Sequence, residues 1–339
     1  MNEKPLVSIR LMVYNNEPFV KKTIESILMQ KTDFAAEIVV GDDFSSDNTL
    51  EVIKSYMDTE KITVRILDRP KGGAYWLKRK KKNASVRTNF LDIVENCQGK
   101  YIALLDGDDY WIDPLKLQKQ VDILEANPQL VACHHWQKLA IETEHGYTEI
   151  EAPKDGYGYY PYEADVKSIF ENKMRVKTRT VMFRNIINTS EILDNFSKAA
   201  FTDVPLSFVL GKYGNFGFID EEMAVYRQTD AGVSKLGLKE LGYNKFMVQH
   251  YKNWIEIWDY ADKFYGYEYH KEATETIIGF YKTMFTHLPR TVHSFFKVLY
   301  YDLFKRNIPF YRKISSLKWI VFYYSKKFKA KLKGKLKAS

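Results

Sequence analysis

Asp106, Asp108 and Asp109 fall within four residues, with Gly107 between the first two, in the stretch KYIALLDGDDYWIDP from Lys100 to Pro114. Carboxylates this close repel one another and titrate as a coupled set unless something cationic sits among them. A divalent metal is the usual answer: Mg²⁺ takes one or two carboxylates together with substrate phosphates, and Mn²⁺ prefers similar oxygen ligands. The spacing by itself also fits a polar turn whose aspartates cap a helix. A second acidic doublet, Asp42–Asp43, follows the apolar run Ile38–Val40. The sequence contains no P-loop, no dinucleotide-binding glycine pattern, no Cys/His zinc spacing and no serine nucleophile elbow. His134 and His135 are adjacent, so on a strand they face opposite sides, which suits structural or acceptor-lining roles better than shared metal ligation.

These acids need strands to carry them. Tyr101–Leu105 is an apolar run of the kind buried on both faces of a parallel sheet, and it delivers Asp106 at its end. Leu6–Val13 reads as a first strand, followed by a turn at Tyr14–Glu17 with Asn16 as the candidate N-cap. A helix comes next, its apolar stripe at Val20, Ile24, Ile27 and Leu28. Ile38–Val40 and Ile62–Leu67 are further strands, and Ser45–Asn48 opens a helix between them whose buried face is marked by Leu50, Ile53 and Met57. Strands alternating with helices at short spacing predict a parallel sheet with right-handed crossovers. Pro70–Asn83, with two glycines and the basic run Lys78–Lys82, reads as a mobile loop that is either solvated or in contact with phosphate. Arg87–Val94 and Lys116–Ala126 read as helices, Val131–His135 and Thr180–Phe183 as strands, and Ile141–Tyr162 as an irregular, substrate-facing loop. Val204–Leu210 reads as a helix, Phe216–Ile219 and Met223–Tyr226 as two short strands, and the chain from Leu238 onward as helical and aromatic.

The length of 339 residues suggests about two domains, and a 45% hydrophobic content against 28% charged supports a buried core rather than disorder. Cys97 and Cys133 sit in apolar surroundings, as expected of small core residues in a reduced, cytosolic compartment. The net charge of +8 conceals an asymmetry: Leu303–Ser339 carries 12 Lys or Arg and no Asp or Glu, so the first 302 residues sum to −4. No apolar run approaches the roughly 20 residues of a membrane span. Met1–Pro5 is charged and Leu6–Val13 too short and polar for a signal peptide, so a protein that is soluble or attached to a surface is expected.

Four stretches, in order, resemble the family 2 glycosyltransferases, inverting enzymes with the GT-A nucleotide-sugar-binding fold. VSIRLMVYNNEPFVKKTIESILMQ is similar to the family's opening strand, Tyr-Asn turn and helix; IVVGDDFSSDNT is close to its Asp-Asp-Gly-Ser-x-Asp pattern, with Phe44 where Gly is usual. GKYIALLDGDDYWIDPLKLQKQVDILEANP carries its Asp-x-Asp signature, and TDVPLSFVLGKYGNFGFIDEEMAVYRQTDAGVS is similar to the acceptor-side half of bacterial members. The resemblance covers roughly residues 5–235. It implies an α/β GT-A domain with a mostly parallel central sheet over 1–237; beyond it, the residue pattern itself reads as a helical C-terminal region over 238–315 and an aromatic, basic tail over 316–339.

The resemblance also implies roles. Asp108 would bind Mn²⁺ or Mg²⁺, Asp106 would hold the ribose or share the metal, and Asp109 would cap the following helix or reach the metal through water. Asp42 would accept from a uracil-type N–H in a pocket lined by Val13, Tyr14 and Glu17, unless it serves as a turn or cap acid, and Asn89 would lie near the donor. Asp203 is the candidate general base, since an inverting displacement needs one carboxylate opposite the leaving group; Thr202–Asp203 also fits an N-cap. Arg227 would reach the diphosphate or pair with Glu221 or Glu222. Thr229 stands where similar proteins carry a His, which bears on metal use.

The expected partners are a nucleoside diphosphate sugar, with UDP favoured, and a glycan or lipid-linked saccharide acceptor in cell-surface polysaccharide synthesis. Trp319–Tyr324 followed by seven lysines among Lys326–Lys337 suggests attachment to an anionic membrane surface, on the inner face of the plasma membrane, rather than to nucleic acid. Transfer onto polyprenyl phosphate, nucleotidyl transfer on a similar sheet, and a non-catalytic carbohydrate-binding or scaffold relative are the alternatives.

Overall fold

Four parallel strands form the part of the sheet that carries the acids: β1 (Val7–Val13), β2 (Ala36–Asp42), β3 (Ile62–Ile66) and β4 (Tyr101–Asp106). Val7, Ile9, Leu11, Ile38, Val40, Ala103 and Leu105 are buried in one core, as continuous apolar strands between two helical layers must be. The crossovers are α1 (Glu17–Leu28), α2 (Thr49–Lys54), and the pair α3 (Ala74–Lys80) and α4 (Val86–Glu95). The computed structural model describes residues 4–56, 58–80, 86–144, 146–152, 161–197, 199–200, 202–229, 240–288, 292–314, 317–318, 320–322 and 325–326.

After β4 come β5 (Tyr110–Trp111), α5 (Lys116–Ala126), the long β6 (Leu130–Thr143), β7 (Gly146–Glu151), β8 (Glu163–Ala164) and α6 (Val166–Phe170). A 3₁₀ turn at Thr178–Thr180 leads into β9 (Met182–Arg184), α7 (Thr189–Asn195), α8 (Asp203–Leu210) and β10 (Asn215–Gln228). The sheet order is β3-β2-β1-β4-β9-β6-β10-β5, with β7 beside β6 and β8 beside β10. Six of the eight strands on that path run the same way, and β9 and β5 are reversed. β1 has β2 on one side and β4 on the other, so the strand order reverses there. The crevice at the carboxyl ends of β1 and β4 is the place where open α/β sheets bind ligands.

The turn after β4 is clamped. The Gly107 N–H donates to the Met12 carbonyl (2.9 Å), and the Thr23 hydroxyl on α1 reaches the carbonyls of Gly107 and Asp109 at 2.9 and 2.7 Å. A Cβ at Gly107 would lie 2.6 Å from Asn16 Oδ1 and 2.7 Å from Val13 Cγ1, so only glycine lets the turn lie this close to β1. Phe44, in the position where the family pattern has Gly, has φ 65, a left-handed conformation that glycine adopts without strain.

Several segments differ from the sequence reading. Pro70–Asn83 is not simply a loop: it contains α3, whose Tyr75 is buried, and Lys81–Lys82 and Asn83 lie outside the described residues. Ile141–Tyr162 continues β6 and turns into β7, with 153–160 outside the described residues, as is Met57. Phe216–Ile219 and Met223–Tyr226 belong to one strand, β10, broken in pattern by register shifts on either side of Glu222. Asn16 does flank α1, but its side chain accepts from Tyr14 N instead of capping, and Asp47 Oδ2 takes the Glu17 N–H (3.0 Å).

The chain divides into two compact units. One comprises Met1–Ile169, Lys173–Asp194 and Phe201–Gly232, and the other Phe170–Asn172, Asn195–Ala200 and Val233–Ser339. The second unit is built on α9 (Tyr243–Phe264), α10 (His270–Thr286) and α11 (Val292–Tyr300), which runs into a π-helical turn, Tyr301–Lys305. Trp258 donates to the Phe170 carbonyl (2.9 Å), and buried Arg306 joins Asp259 and Asp302. Among the described residues no helix is long and apolar enough to cross a membrane. Most of Trp319–Tyr324 and Lys326–Lys337 lies outside the described residues.

Two predictions follow from this packing. Gly107→Ala should lower stability by about 1–3 kcal/mol in urea melts, because the added carbon would displace the side chains of Asn16 and Val13; an unchanged midpoint would contradict the close approach. His134 and His135 are both buried on β6; burial pushes His134 down to about 3 and His135 well below its ordinary value. The unfolded chain protonates both as pH falls through about 6.5 while the native chain does not, so their contribution is full above that value and lost below it. Stability should therefore fall between pH 6.5 and 5, the two rings together contributing a slope approaching about 2.7 kcal/mol per pH unit, offset in part by Asp108, whose raised carboxyl takes up a proton in the same range. A flat pH profile in thermal melts would show that the two rings carry charge in the fold.

Candidate functional site

The three aspartates of the β4 turn point to different partners. Asp106, the last residue of β4, accepts from Arg10 Nη1 at 2.7 Å; the arginine side chain is 0% exposed and the aspartate 26%. Arg10 rises from the middle of β1, lies against the Phe90 ring, and leaves Nε and Nη2 without a hydrogen-bond partner. Asp109 is buried, and each of its oxygens is engaged: Arg179 Nε donates to Oδ2 (2.5 Å) and the Arg227 backbone N–H to Oδ1 (2.9 Å). It therefore ties the 3₁₀ turn and β10 to the acidic loop, rather than capping a helix or offering a free carboxylate to a metal.

Asp108 lies between these two, and among the described residues no arginine forms an ion pair with its carboxylate. Burial, then the charges of Asp109 and Asp106, push its carboxyl up to about 7, with Arg179 opposing. A carboxylate held in this state gains most from an added cation. Among the described residues no group of three or more His, Cys, Asp or Glu side chains is arranged to hold a metal alone. Two hard oxygen donors, Asp106 and Asp108, fit Mg²⁺ or Mn²⁺ of the kind that completes its shell with phosphate oxygens and water.

Asp203 opens α8. Its Oδ1 accepts the Val204 N–H at 2.9 Å, and burial raises its pKa while the charges of Arg179 and Asp106 act on it in opposite senses. The second acid candidate thus shares an electrostatic environment with the β4 turn, although almost a hundred residues separate them. Tyr226 senses Arg179 and all three aspartates, and its ring lies 4.1 Å from the Arg179 guanidinium. Arg227 does not pair with Glu221, which takes Lys119 instead (2.5 Å). Its guanidinium donates to the Asp108 carbonyl (2.5 Å) and lies over Phe19, Tyr110 and Tyr147, within 4.8–5.5 Å of each ring. Thr229, where a His was expected, is buried.

The base-side residues divide in the same way. Asp42 ends β2 and accepts from both Ser45 N (3.0 Å) and the Ser45 hydroxyl, so in this structure it closes its own turn. Val13 turns its side chain into the core, Glu17, half-buried, accepts from Asn48 N (3.0 Å) and Asn48 Nδ2 (2.8 Å), and Tyr14, 59% exposed, is presented to solvent. Asn89 is buried, donating to the Gly41 carbonyl (3.0 Å) and accepting from Arg69 Nη1 (2.7 Å), which supports the β2 end from behind. Arg69 also reaches the Asp42 carbonyl (2.8 Å) and Asp92 (2.6 Å). Arg79, within the basic run, forms a bidentate pair with Asp43 (2.8 and 2.6 Å).

The sequence reading missed Arg10, Arg69 and Arg179. Arg10 had a signal: a charged residue at the centre of an apolar strand must find a partner when buried. Arg179 had none, because its carboxylate partner is set by tertiary folding.

The division among the acids is testable by stability. Asp109→Asn strips the charge partner from buried Arg179 and should cost about 3–5 kcal/mol. Asp108→Asn removes an unfavourable charge and should leave the metal-free protein at pH 8 as stable or more so. Equal losses in denaturant melts would refute the assignment.

The profile of Glycosyl transferase family 2 matches residues 8–189. A Mycobacterium tuberculosis protein is 27% identical over 236 residues, 67% of this chain; the match spans only 60% of that relative's length. The Escherichia coli protein WfaP, named a UDP-Glc:alpha-D-GlcNAc-diphosphoundecaprenol beta-1,3-glucosyltransferase, is 34% identical over 35% of this chain and 41% of its own. The crystal structure of S. aureus TarS 1-349 in complex with UDP aligns with a TM-score of 0.51 at 14% identity, over 93% of this chain and 80% of that one, a likeness of fold. With the match extending from β1 past β9, this chain belongs to glycosyl transferase family 2 and has its GT-A fold.

Proposed function

We propose that the chain is an inverting, metal-dependent glycosyltransferase that moves a sugar from a nucleoside diphosphate sugar, UDP favoured, to a glycan or lipid-linked saccharide acceptor in cell-surface polysaccharide synthesis. The observation that carries this reading is the electrostatic one. Asp108, whose carboxylate forms no ion pair among the described residues, sits between two arginine-paired aspartates at the sheet's switch point, with Asp203 coupled to the same cluster. The family membership supports sugar transfer, and the UDP-sugar donor and lipid-diphosphate acceptor named for WfaP and the UDP bound by TarS support the donor and acceptor classes.

Asp106 and Asp108 would hold Mn²⁺ or Mg²⁺, which supplies Lewis-acid stabilisation of the departing diphosphate. Arg10 fixes Asp106 from below, so that its second oxygen is presented to ligand. Arg227 adds positive charge beside Asp108 from within an aromatic box, where low polarity strengthens its pull on a diphosphate. Asp42, Asn89 and Tyr14 shape the base and ribose end, with Asp42 exchanging the hydrogen bond it accepts from the Ser45 hydroxyl for one from the base N–H. Asp203 takes the proton from the acceptor hydroxyl as its oxygen bonds to the anomeric carbon and the bond to diphosphate breaks. The raised pKa makes Asp203 a stronger base than an exposed aspartate. The protein would work on the cytoplasmic face of the membrane, held in part by its basic C-terminal tail.

UDP should raise the melting temperature only with Mn²⁺ or Mg²⁺ present, and both EDTA and Asp108→Ala should abolish the shift. Asp203→Asn should keep that shift but lose at least about a thousandfold of transfer from UDP-sugar. Unchanged turnover in Asp203→Asn would remove it as the base, and no stabilisation by any nucleoside diphosphate would favour a non-catalytic carbohydrate-binding role.

A further inference from the structure

The helical unit has a cavity of about 560 Å³ that the transferase reading does not use. Four basic side chains line it, Lys252 from α9, His293 and Lys297 from α11, and Lys305 from the π-helical turn, and among the described residues no Asp or Glu does. Its apolar wall comes from Val248, Met284, Leu288 and Phe296. Among the described residues none of the three lysines is in an ion pair with a carboxylate, whereas the neighbouring Arg306 takes two. A cavity with unneutralised cations on an apolar wall fits a ligand that is anionic at one end and hydrocarbon at the other.

The mouth has the same character. Phe296 and Tyr300 are 57% and 56% exposed, and Phe304, its ring 5.1 Å from Tyr300, is 70% exposed. Aromatic rings beside lysines are the composition of a bilayer interface. The cavity is also held open by rigid parts. The Arg306 N–H bonds to the Tyr301 carbonyl (3.2 Å), a spacing of five residues that widens the turn and keeps Lys305 beside Tyr301. Arg306 locks that turn through Asp259 and Asp302, and Lys313 Nζ takes the carbonyls of Leu303 (2.7 Å) and Arg306 (2.9 Å). The chain's own C-terminal stretch is a poor occupant, since Leu303–Ser339 is cationic and contains no Asp or Glu.

We propose that this cavity binds the phosphate headgroup and proximal chain of an anionic lipid, as a site separate from the nucleotide-sugar crevice and from the basic tail. Its volume lies within the usual range for small-molecule sites, enough for a phosphate and several methylenes. The proposal does not depend on transferase activity.

The test uses the full-length chain and dodecyl phosphate below its micelle concentration, titrated calorimetrically. Dodecyl phosphate should bind at one site, while inorganic phosphate and dodecyl maltoside should bind at least tenfold more weakly. The triple substitution Lys252→Gln, Lys297→Gln, Lys305→Gln, which keeps the tail, should lose at least tenfold in affinity, while an unchanged far-UV circular dichroism spectrum and a cooperative thermal melt control for folding. A second variant, Phe296→Asp, should weaken binding by closing the apolar wall to the chain. Equal affinity for dodecyl maltoside, or unchanged affinity in both variants, would overturn the site. Vesicle flotation assigns the source. Loss of the triple variant from phosphatidylglycerol vesicles points to a bilayer lipid, and loss from phosphatidylcholine vesicles doped with a polyprenyl diphosphate points to a lipid-linked diphosphate. Flotation is compared at about 0.5 M salt, where the exposed lysines of the tail are screened, and retention of the triple variant on both would then overturn the proposal.

Discussion

Charge repulsion within the β4 turn is the constraint that the surrounding structure answers. Three carboxylates in four residues are tolerated because two arginines approach from opposite sides, Arg10 from β1 to Asp106 and Arg179 from the 3₁₀ turn to Asp109. The third carboxylate has no such ion pair among the described residues, and burial together with its two acidic neighbours raises its pKa. Buried pairs of this kind contribute little net stability, because desolvation offsets attraction. Their effect is positional: they fix which oxygen faces inward and which remains for a ligand.

The backbone enforces the same arrangement. Gly107 lets the acidic turn rest on Val13 and Asn16, and Thr23 holds it under α1 with two hydrogen bonds. On the other side of β1, Gly41 allows α4 to pack so closely that an added Cβ would lie 2.3 Å from Ile93, which brings Asn89 to the Gly41 carbonyl. Arg69 then joins Asn89, Asp92 and the end of β2 into one polar layer. The crevice is thus built from two turns at the ends of β2 and β4, the parallel strands on either side of β1, each with a glycine at its close approach and an arginine supporting it. β10 closes it, its last residues carrying Tyr226 and Arg227 over the acids after two register shifts that bend the strand toward them.

The departures from the sequence reading have physical causes. α3 was hidden because its lysines suggested a solvated loop, while Tyr75 and Arg79 are held by a single tertiary acid, Asp43. β10 looked like two strands because the shifts around Glu222 interrupt the alternation on which a strand is recognised. β6 and β7 were obscured for another reason: β7 is exposed along its whole length and so carries no apolar pattern.

By itself the sequence determined the strand–helix alternation, the buried parallel strands, the acidic turn after β4 and the family pattern around it. Those are local properties, set by apolar periodicity and by residues that neighbour one another in the chain. Only the tertiary structure decided what each acid does. Asp109 became an anchor because Arg179 and Arg227 arrive from about 70 and 118 residues away, Asp42 is engaged by Ser45, and Asp203 shares the field of Asp106. A carboxylate's role depends on which charges surround it and how much water it retains, and neither is written in its immediate neighbours.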